Sequence, residues 1–186
     1  MNEQSFCLHP FSPPKSQQAT VSLLPDLKVT GNIARSNNTL ALSYELLDPL
    51  TEVVLPPLAD KPTRKNELWQ ETCFEFFLGI KNSEQYWEFN LSPAGHWNIY
   101  HFDAYRQGMQ EEIAFTSLPF SIQNQSDALL LALKLDLAKL VQADQTLAVA
   151  ISTVIKHRNS EVTYWALTHP GLQADFHRRD SFIIEL

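Results

Sequence analysis

Only two of the 186 residues are cysteine, Cys7 and Cys73, and neither a CxxC pair nor a metal-ligand spacing joins them. That scarcity argues against a zinc knot and gives no support to a disulfide; Cys73, inside the strand-like TCFEFFLG, reads as a packed or half-buried thiol. Basic runs are lacking too. With 14 Lys and Arg against 21 Asp and Glu the formal charge is −7, so we expect neither nucleic acid nor a membrane as partner. Apolar residues never run unbroken for the roughly 18 positions of a membrane helix. The start, MNEQSFCLHPFSPPK, has neither a cationic opening nor an apolar core, and the expectation is a soluble, cytoplasmic protein. No G-x-S-x-G nucleophile motif occurs, and there is no internal repeat or low-complexity tract.

What is present points to sheet. Eleven prolines against five glycines, with 11% aromatics, suit short strands between proline-bounded loops. Strand-like stretches follow one another: FCLHPF, LKVTGNIARS, TLALSYELL, TCFEFFLGI, QYWEFNLS, HWNIYHFD, EIAFTSL, FSIQNQ, ALLLALKL, TLAVAISTVIKH, EVTYWALTH and SFIIEL. SNN, SPAG, NQSD and RNS mark turns between them. About ten to twelve such strands imply an all-β, two-sheet antiparallel β-sandwich, a single domain over residues 1–186. DALLLALKLDLAKLVQAD fits both a strand and an amphipathic helix; we divide it into a strand to about Leu135 and a short helical turn. LLDPLTEVVLPPLADKPTRKNELWQ, with four prolines, reads as a long irregular loop, the kind of segment that often carries function.

The side-chain period of two sorts the next residues onto faces. Phe74, Phe76 and Leu78, with Trp87, Phe89 and Leu91, form a core side. Cys73, Glu75 and Phe77, with Glu88, Asn90 and Ser92, form a concave or solvated outer side. In HWNIYHFDAYR, Trp97, Ile99 and His101 alternate with His96, Asn98, Tyr100 and Phe102, so both sides are bulky and the strand reads as central; Asp103 and Arg106 are placed to pair across the following turn. Carboxylate and amide groups beside an indole at the loop edge, Trp69, suit a saccharide, whose hydroxyls seek such partners and whose CH-rich face stacks on indole. An ordinary solvated sheet face is the alternative.

LWQETCFEFFLG followed by YWEFNLSPAGHWNIYHFD resembles DOMON-like proteins and the related family 9 carbohydrate-binding modules. Trp69 and Glu75 carry the spacing, Asn90 the next strand, and Pro93 with Gly95 the turn; YWALTHPG and DFHRRDSF resemble the end of such chains. The likeness runs over roughly residues 25–186 in strand order and is most specific over 68–106. It implies a β-sandwich with a ligand site at one end of the strands or on a curved sheet. In the sugar-binding relatives two tryptophans clamp the terminal sugar. Here Trp69 matches the first, DFHRRDS stands where the second belongs, and Trp165 comes too early. The resemblance also raises a haem with Met and His axial ligands, for which Met109 is the one internal methionine.

The same C-terminal run, HPGLQADFHRRD, gathers His169, Asp175, His177, Arg178, Arg179 and Asp180. Four readings are open: charged groups pairing with one another to fix a loop; recognition of a small anionic or hydroxylated ligand, with Arg178 as bidentate donor and His177 stacking; metal binding by His169, Asp175 and His177; and catalysis with His169 or His177 as base beside Asp175 or Asp180. The reading taken forward is a non-catalytic binding module for a small polar ligand, a saccharide, using Trp69, Glu75, Glu88, Asn90, His169, Asp175, His177 and Arg178. It assigns no metal, no cofactor and no catalytic residue. A haem-binding redox domain and an enzyme using the C-terminal cluster are the alternatives. The sequence carries no trace of oligomeric state.

Overall fold

The structure is a computed structural model and describes residues 2–13 and 26–186. Its strands are β1 (Asn2–Cys7), β2 (His9–Pro10), β3 (Lys28–Ser36), β4 (Thr39–Leu47), β5 (Cys73–Ile80), β6 (Tyr86–Leu91), β7 (Trp97–Phe102), β8 (Gln110–Glu111), β9 (Phe120–Asn124), β10 (Ala128–Asp136), β11 (Leu147–Lys156), β12 (Val162–Ala166) and β13 (Ile184–Glu185). One sheet has five strands in the order β1-β3-β4-β10-β9. The other has eight, in the order β2-β12-β11-β5-β6-β7-β8, with β13 also on β11. Every strand pairing is antiparallel. This is the two-sheet sandwich expected from the sequence. Among the described residues no helix is long and apolar enough to cross a membrane.

Alternation builds the interior. Phe74, Phe76 and Leu78 of β5 and Trp87, Phe89 and Leu91 of β6 all join the main core, where they meet Leu42, Tyr44 and Leu46 of β4 and Leu129, Leu131 and Leu133 of β10. The Phe76 and Phe89 rings stack at 4.3 Å and 11°, an arrangement that adds to the burial energy of two large apolar groups. The Tyr44 hydroxyl donates to the Glu75 carbonyl at 2.7 Å, tying one sheet to the other and satisfying a phenol that is otherwise fully enclosed. Turn chemistry follows the sequence: Asn37 and Asn82 take left-handed backbone (φ 52° and 65°), and Gly95 at φ 91° closes the SPAG turn with its N–H on Ser92 O.

Four expectations change. FCLHPF is not one strand: Leu8 is buried between β1, which belongs to the five-stranded sheet, and β2, which belongs to the other. EIAFTSL is not a strand, because only Gln110 and Glu111 pair with β7; Phe115 and Leu118 instead drop into the core from an irregular segment and leave Ile113 exposed. β7 is not central, since its outer neighbour is that two-residue strand. The outer side of β5 and β6 is not solvated. Glu75, Phe77, Glu88 and Asn90 are all buried, and Phe77, Tyr86, Tyr100, Phe102, Ala150 and Phe182 make a second, smaller core there, with Trp69 and Phe176 packed against it.

The segment that covers this face is the charged C-terminal run. Arg179 pins it: Nη2 donates to Ile80 O and Ser83 O, and the guanidinium lies 4.6 Å over the Phe182 ring. Gly79 permits this, because a Cβ there would collide with the guanidinium.

Candidate functional site

The proline-rich loop delivers Trp69. Arg64 anchors it, with its guanidinium 4.3 Å over the Trp97 ring and Nη1 donating to Asn98 Oδ1 at 2.6 Å. Asn66 Oδ1 then accepts from Asn98 Nδ2 at 2.7 Å and from the Tyr100 hydroxyl at 3.0 Å. Glu67 turns the chain through left-handed backbone (φ 58°) into a 3-10 turn, Leu68–Gln70. The indole of Trp69, half-buried, rests edge-on against Tyr100 at 5.7 Å.

Opposite this turn the C-terminal segment is latched to β6 and to the turn after β7. The Tyr86 hydroxyl lies 2.9 Å from His177 Nδ1 and accepts the Arg106 backbone N–H at 3.2 Å. The imidazole is wedged among Phe77, Phe102 and Tyr86. Asp175 accepts from Arg106 Nη2 at 2.9 Å, from the Tyr105 hydroxyl and from the His177 N–H at 3.1 Å.

Between turn and segment lies a cavity of about 370 Å³ lined by Trp69, Glu75, Glu88, Phe102, Arg106, Met109, Val154, Tyr164, Ala174, Asp175, Phe176 and His177. Its volume is within the roughly 300–1,000 Å³ usual for small-molecule sites. Five of the eight residues singled out in the sequence meet there. Asn90 stands behind them, its Nδ2 donating to Glu88 Oε1 at 2.8 Å. Two lie elsewhere: His169 Nε2 bonds His9 O at 2.8 Å, and Arg178 pairs with Asp180 at 2.6 Å. Arg106 takes the cationic position at the cavity, paired with Asp175 and not with Asp103. A larger depression, about 590 Å³, crosses the outer face of the five-stranded sheet over Thr30, Asn32, Ser43, Glu45, Ser121 and Gln123; the perturbed group on its lining is Tyr44, raised by burial, whose hydroxyl is spent on the Glu75 carbonyl, whereas the smaller cavity gathers several perturbed groups, which mark functional sites better than volume does.

The electrostatics of the smaller cavity are unusual. Glu75 and Glu88 are diagonal neighbours across the β5–β6 pair, where Phe77 opposes Glu88 and Asn90 opposes Glu75. Burial, and then the charge of Glu88, holds the Glu75 carboxyl well above the ordinary carboxylate range. Burial raises Glu88 to about 7 against the opposing pull of Asn90 and Arg106. Burial, and then the Arg106 charge, lowers His177 to about 4, so at neutral pH its Nε2, 3.8 Å from Glu88 Oε2, belongs to a neutral ring. Glu75 Oε1 and Ser152 Oγ are buried without a hydrogen-bond partner, and Glu75 and Ser152 are direct cross-strand partners.

A haem does not fit this place. Met109 lines the cavity, but His177, the only imidazole doing so among the described residues, has Nδ1 bonded to Tyr86 and Nε2 turned toward Glu88, and the floor is carboxylic. The described residues hold no group of three or more His, Cys, Asp or Glu arranged to ligate a metal.

Sequence reasoning missed Phe102, Arg106, Tyr164 and Phe176 as lining residues. Phe102 and Phe176 carried a signal, the first by its place on the Glu88 side of the hairpin's neighbour strand and the second by lying between Asp175 and His177. Nothing in the sequence marks Arg106, whose partner is 69 positions away.

Among solved structures the chain is similar to a candidate carbohydrate-binding protein of Bacteroides uniformis, with a TM-score of 0.66 and 13% identity over 96% of this chain and 83% of that one. It also aligns with a family 9 carbohydrate-binding module of Caldicellulosiruptor kristjanssonii, in complex with glucose (TM-score 0.47, 13% identity) and with cellotriose (0.48, 12%), over 78% of this chain and 69% and 68% of those. No protein-family model and no curated protein sequence matches the chain. What this chain shares with the Bacteroides protein is the fold, an antiparallel β-sandwich of two sheets.

Proposed function

We propose that the chain is a saccharide-binding module whose site is the cavity between the Trp69 turn and the Asp175–His177 segment. One observation carries this reading: a half-buried indole, two buried carboxyls and a charged rim, drawn from three distant parts of the sequence, converge on one hollow of about 370 Å³. The fold likeness to a candidate carbohydrate-binding protein supports it. Trp69 offers the flat apolar surface on which the CH face of a pyranose stacks. Glu75 and Glu88 offer hydrogen bonds to ring hydroxyls, accepting when ionised and also donating when protonated. Asn90 fixes the Glu88 carboxyl from behind, and Asp175 with Arg106 supplies polar groups at the rim.

The test is a titration of intrinsic tryptophan fluorescence with D-glucose and with cellobiose, in the parent and in Trp69→Ala. A saturable change in the parent that disappears in the variant, with a melting temperature close to the parent's, is expected. A flat response in the parent, together with a large loss of stability in Trp69→Ala, would show that the indole serves packing alone.

A further inference from the structure

The cavity contains an acid pair without a counter-charge. Arg106 is the one formally cationic side chain on its lining, and its guanidinium is already engaged by Asp175. Neither Glu75 nor Glu88 makes an ion pair with a lysine or arginine among the described residues. The groups around Glu88 are Asn90, Arg106 and the neutral His177; those around Glu75 are Cys73, Glu88 and Ser152. Glu75 is 3% exposed, lines the cavity and leaves Oε1 with no hydrogen-bond partner, beside the equally unpartnered Ser152 Oγ.

The walls add to the same field. Trp69, Phe102, Tyr164 and Phe176 line the cavity, and aromatic faces attract cations through their quadrupoles, most strongly where water is excluded. A neutral sugar has no charge to set against a buried acid pair. A primary ammonium has three donors and one positive charge, which matches the acceptor oxygens of Glu75 and Glu88 on the cavity lining. A hard metal ion matches less well: calcium needs six or more oxygens, and Asp175 is turned away to Arg106 and Tyr105.

We propose that the cavity is built for a ligand carrying a protonated amine, seated on the Glu75 and Glu88 carboxyls beneath Trp69, which makes its saccharide an amino sugar. This rests on the saccharide reading above and narrows it. Because burial raises both carboxyls above the ordinary range, an arriving ammonium that draws them into the ionised form releases protons, whereas a neutral sugar has no such effect.

The experiment is isothermal titration calorimetry of the full chain at about pH 6.5 with D-glucosamine, D-glucose, N-acetyl-D-glucosamine and cyclohexylamine, each in two buffers of different ionisation enthalpy. Glucosamine is expected to bind at least about tenfold tighter than glucose, with heat that shifts between buffers, while the N-acetyl sugar shows no gain over glucose. In Glu75→Gln the ratio between glucosamine and glucose, measured on that same variant, falls toward one. Glu88→Gln gives the same readout if the first variant does not fold. Equal affinities of the parent for glucose and glucosamine would overturn the amine preference and leave the saccharide reading standing. Cyclohexylamine binding as tightly as glucosamine, with no binding of glucose, would keep the cation site and remove the saccharide. Binding of none of the four would remove both.

Discussion

The Tyr86 hydroxyl joins His177 Nδ1 at 2.9 Å to the Arg106 backbone N–H at 3.2 Å, so a single phenol on β6 holds both the C-terminal segment and the turn that carries Arg106. Two borders of the cavity, the C-terminal segment and the Arg106 turn, meet at that oxygen. Removing it in Tyr86→Phe keeps the ring stacked on Phe102 (4.8 Å, 4°) and deletes only the polar link. The expected cost is about 1–2 kcal/mol in urea denaturation, the penalty for leaving partly buried polar groups unpaired. Hydrogen exchange should rise at residues 174–178 while β5 and β11 stay protected. Uniform loss of protection across both sheets would show that the phenol supports the fold at large.

Stability should depend on pH through the acid pair. Glu88 holds its proton more tightly in the folded chain, at about 7 against an ordinary 4.5, so its contribution is complete below about pH 4.5 and is lost as pH rises through about 7. Glu75 moves in the same direction. His177 runs the other way: lowered from 6.5 to about 4, its contribution is present above pH 6.5 and lost as pH falls through about 4. Glu88→Gln keeps an acceptor for Asn90 and removes the charge. It should therefore stabilise the chain by about 2 kcal/mol at pH 8 and make no difference at pH 4. Urea midpoints at the two pH values decide it; a variant weaker than the parent at pH 8 counts against a protonated pair.

Asp175 and Arg178 should separate cleanly although three residues apart. Asp175→Asn weakens contacts to Arg106, Tyr105 and the His177 N–H. Because Arg106 is 52% exposed, screening limits the expected loss to about 1 kcal/mol or less, larger at low salt than at high. Arg178→Ala removes only a surface pair with Asp180 and should leave both the melting temperature and saccharide binding unchanged. Thermal unfolding at two salt concentrations compares them, and equal damage from the two substitutions would contradict this geometry.

The sandwich was legible because alternation is a local signal. Phe74, Phe76 and Leu78 against Cys73, Glu75 and Phe77 report which side each residue takes, whatever lies beyond. What covers the outer side was not legible, since the cover comes from residues about a hundred positions later, and nothing in TCFEFFLG says that Glu75 will lose its water. The Trp69 turn, Glu88 and the DFH run were found because indole, carboxylate and imidazole announce their chemistry. Arg106 was misassigned to Asp103 for the opposite reason: nearness in sequence suggested the pairing, and the fold brought Asp175 closer. EIAFTSL misled because apolar residues spaced to plug a gap have the same composition as a strand.

The passage of the chain between sheets at Leu8 has a consequence for how the protein is made. β2 pairs with β12, His9 opposite Ala166 and Pro10 opposite Trp165, so the earlier segment must wait for a partner that leaves the ribosome much later. Likewise β5 has to wait for β11. Synthesis at roughly 5–20 residues per second thus leaves these edges open for seconds, and the acid-lined hollow takes shape only after the Asp175–His177 segment has emerged.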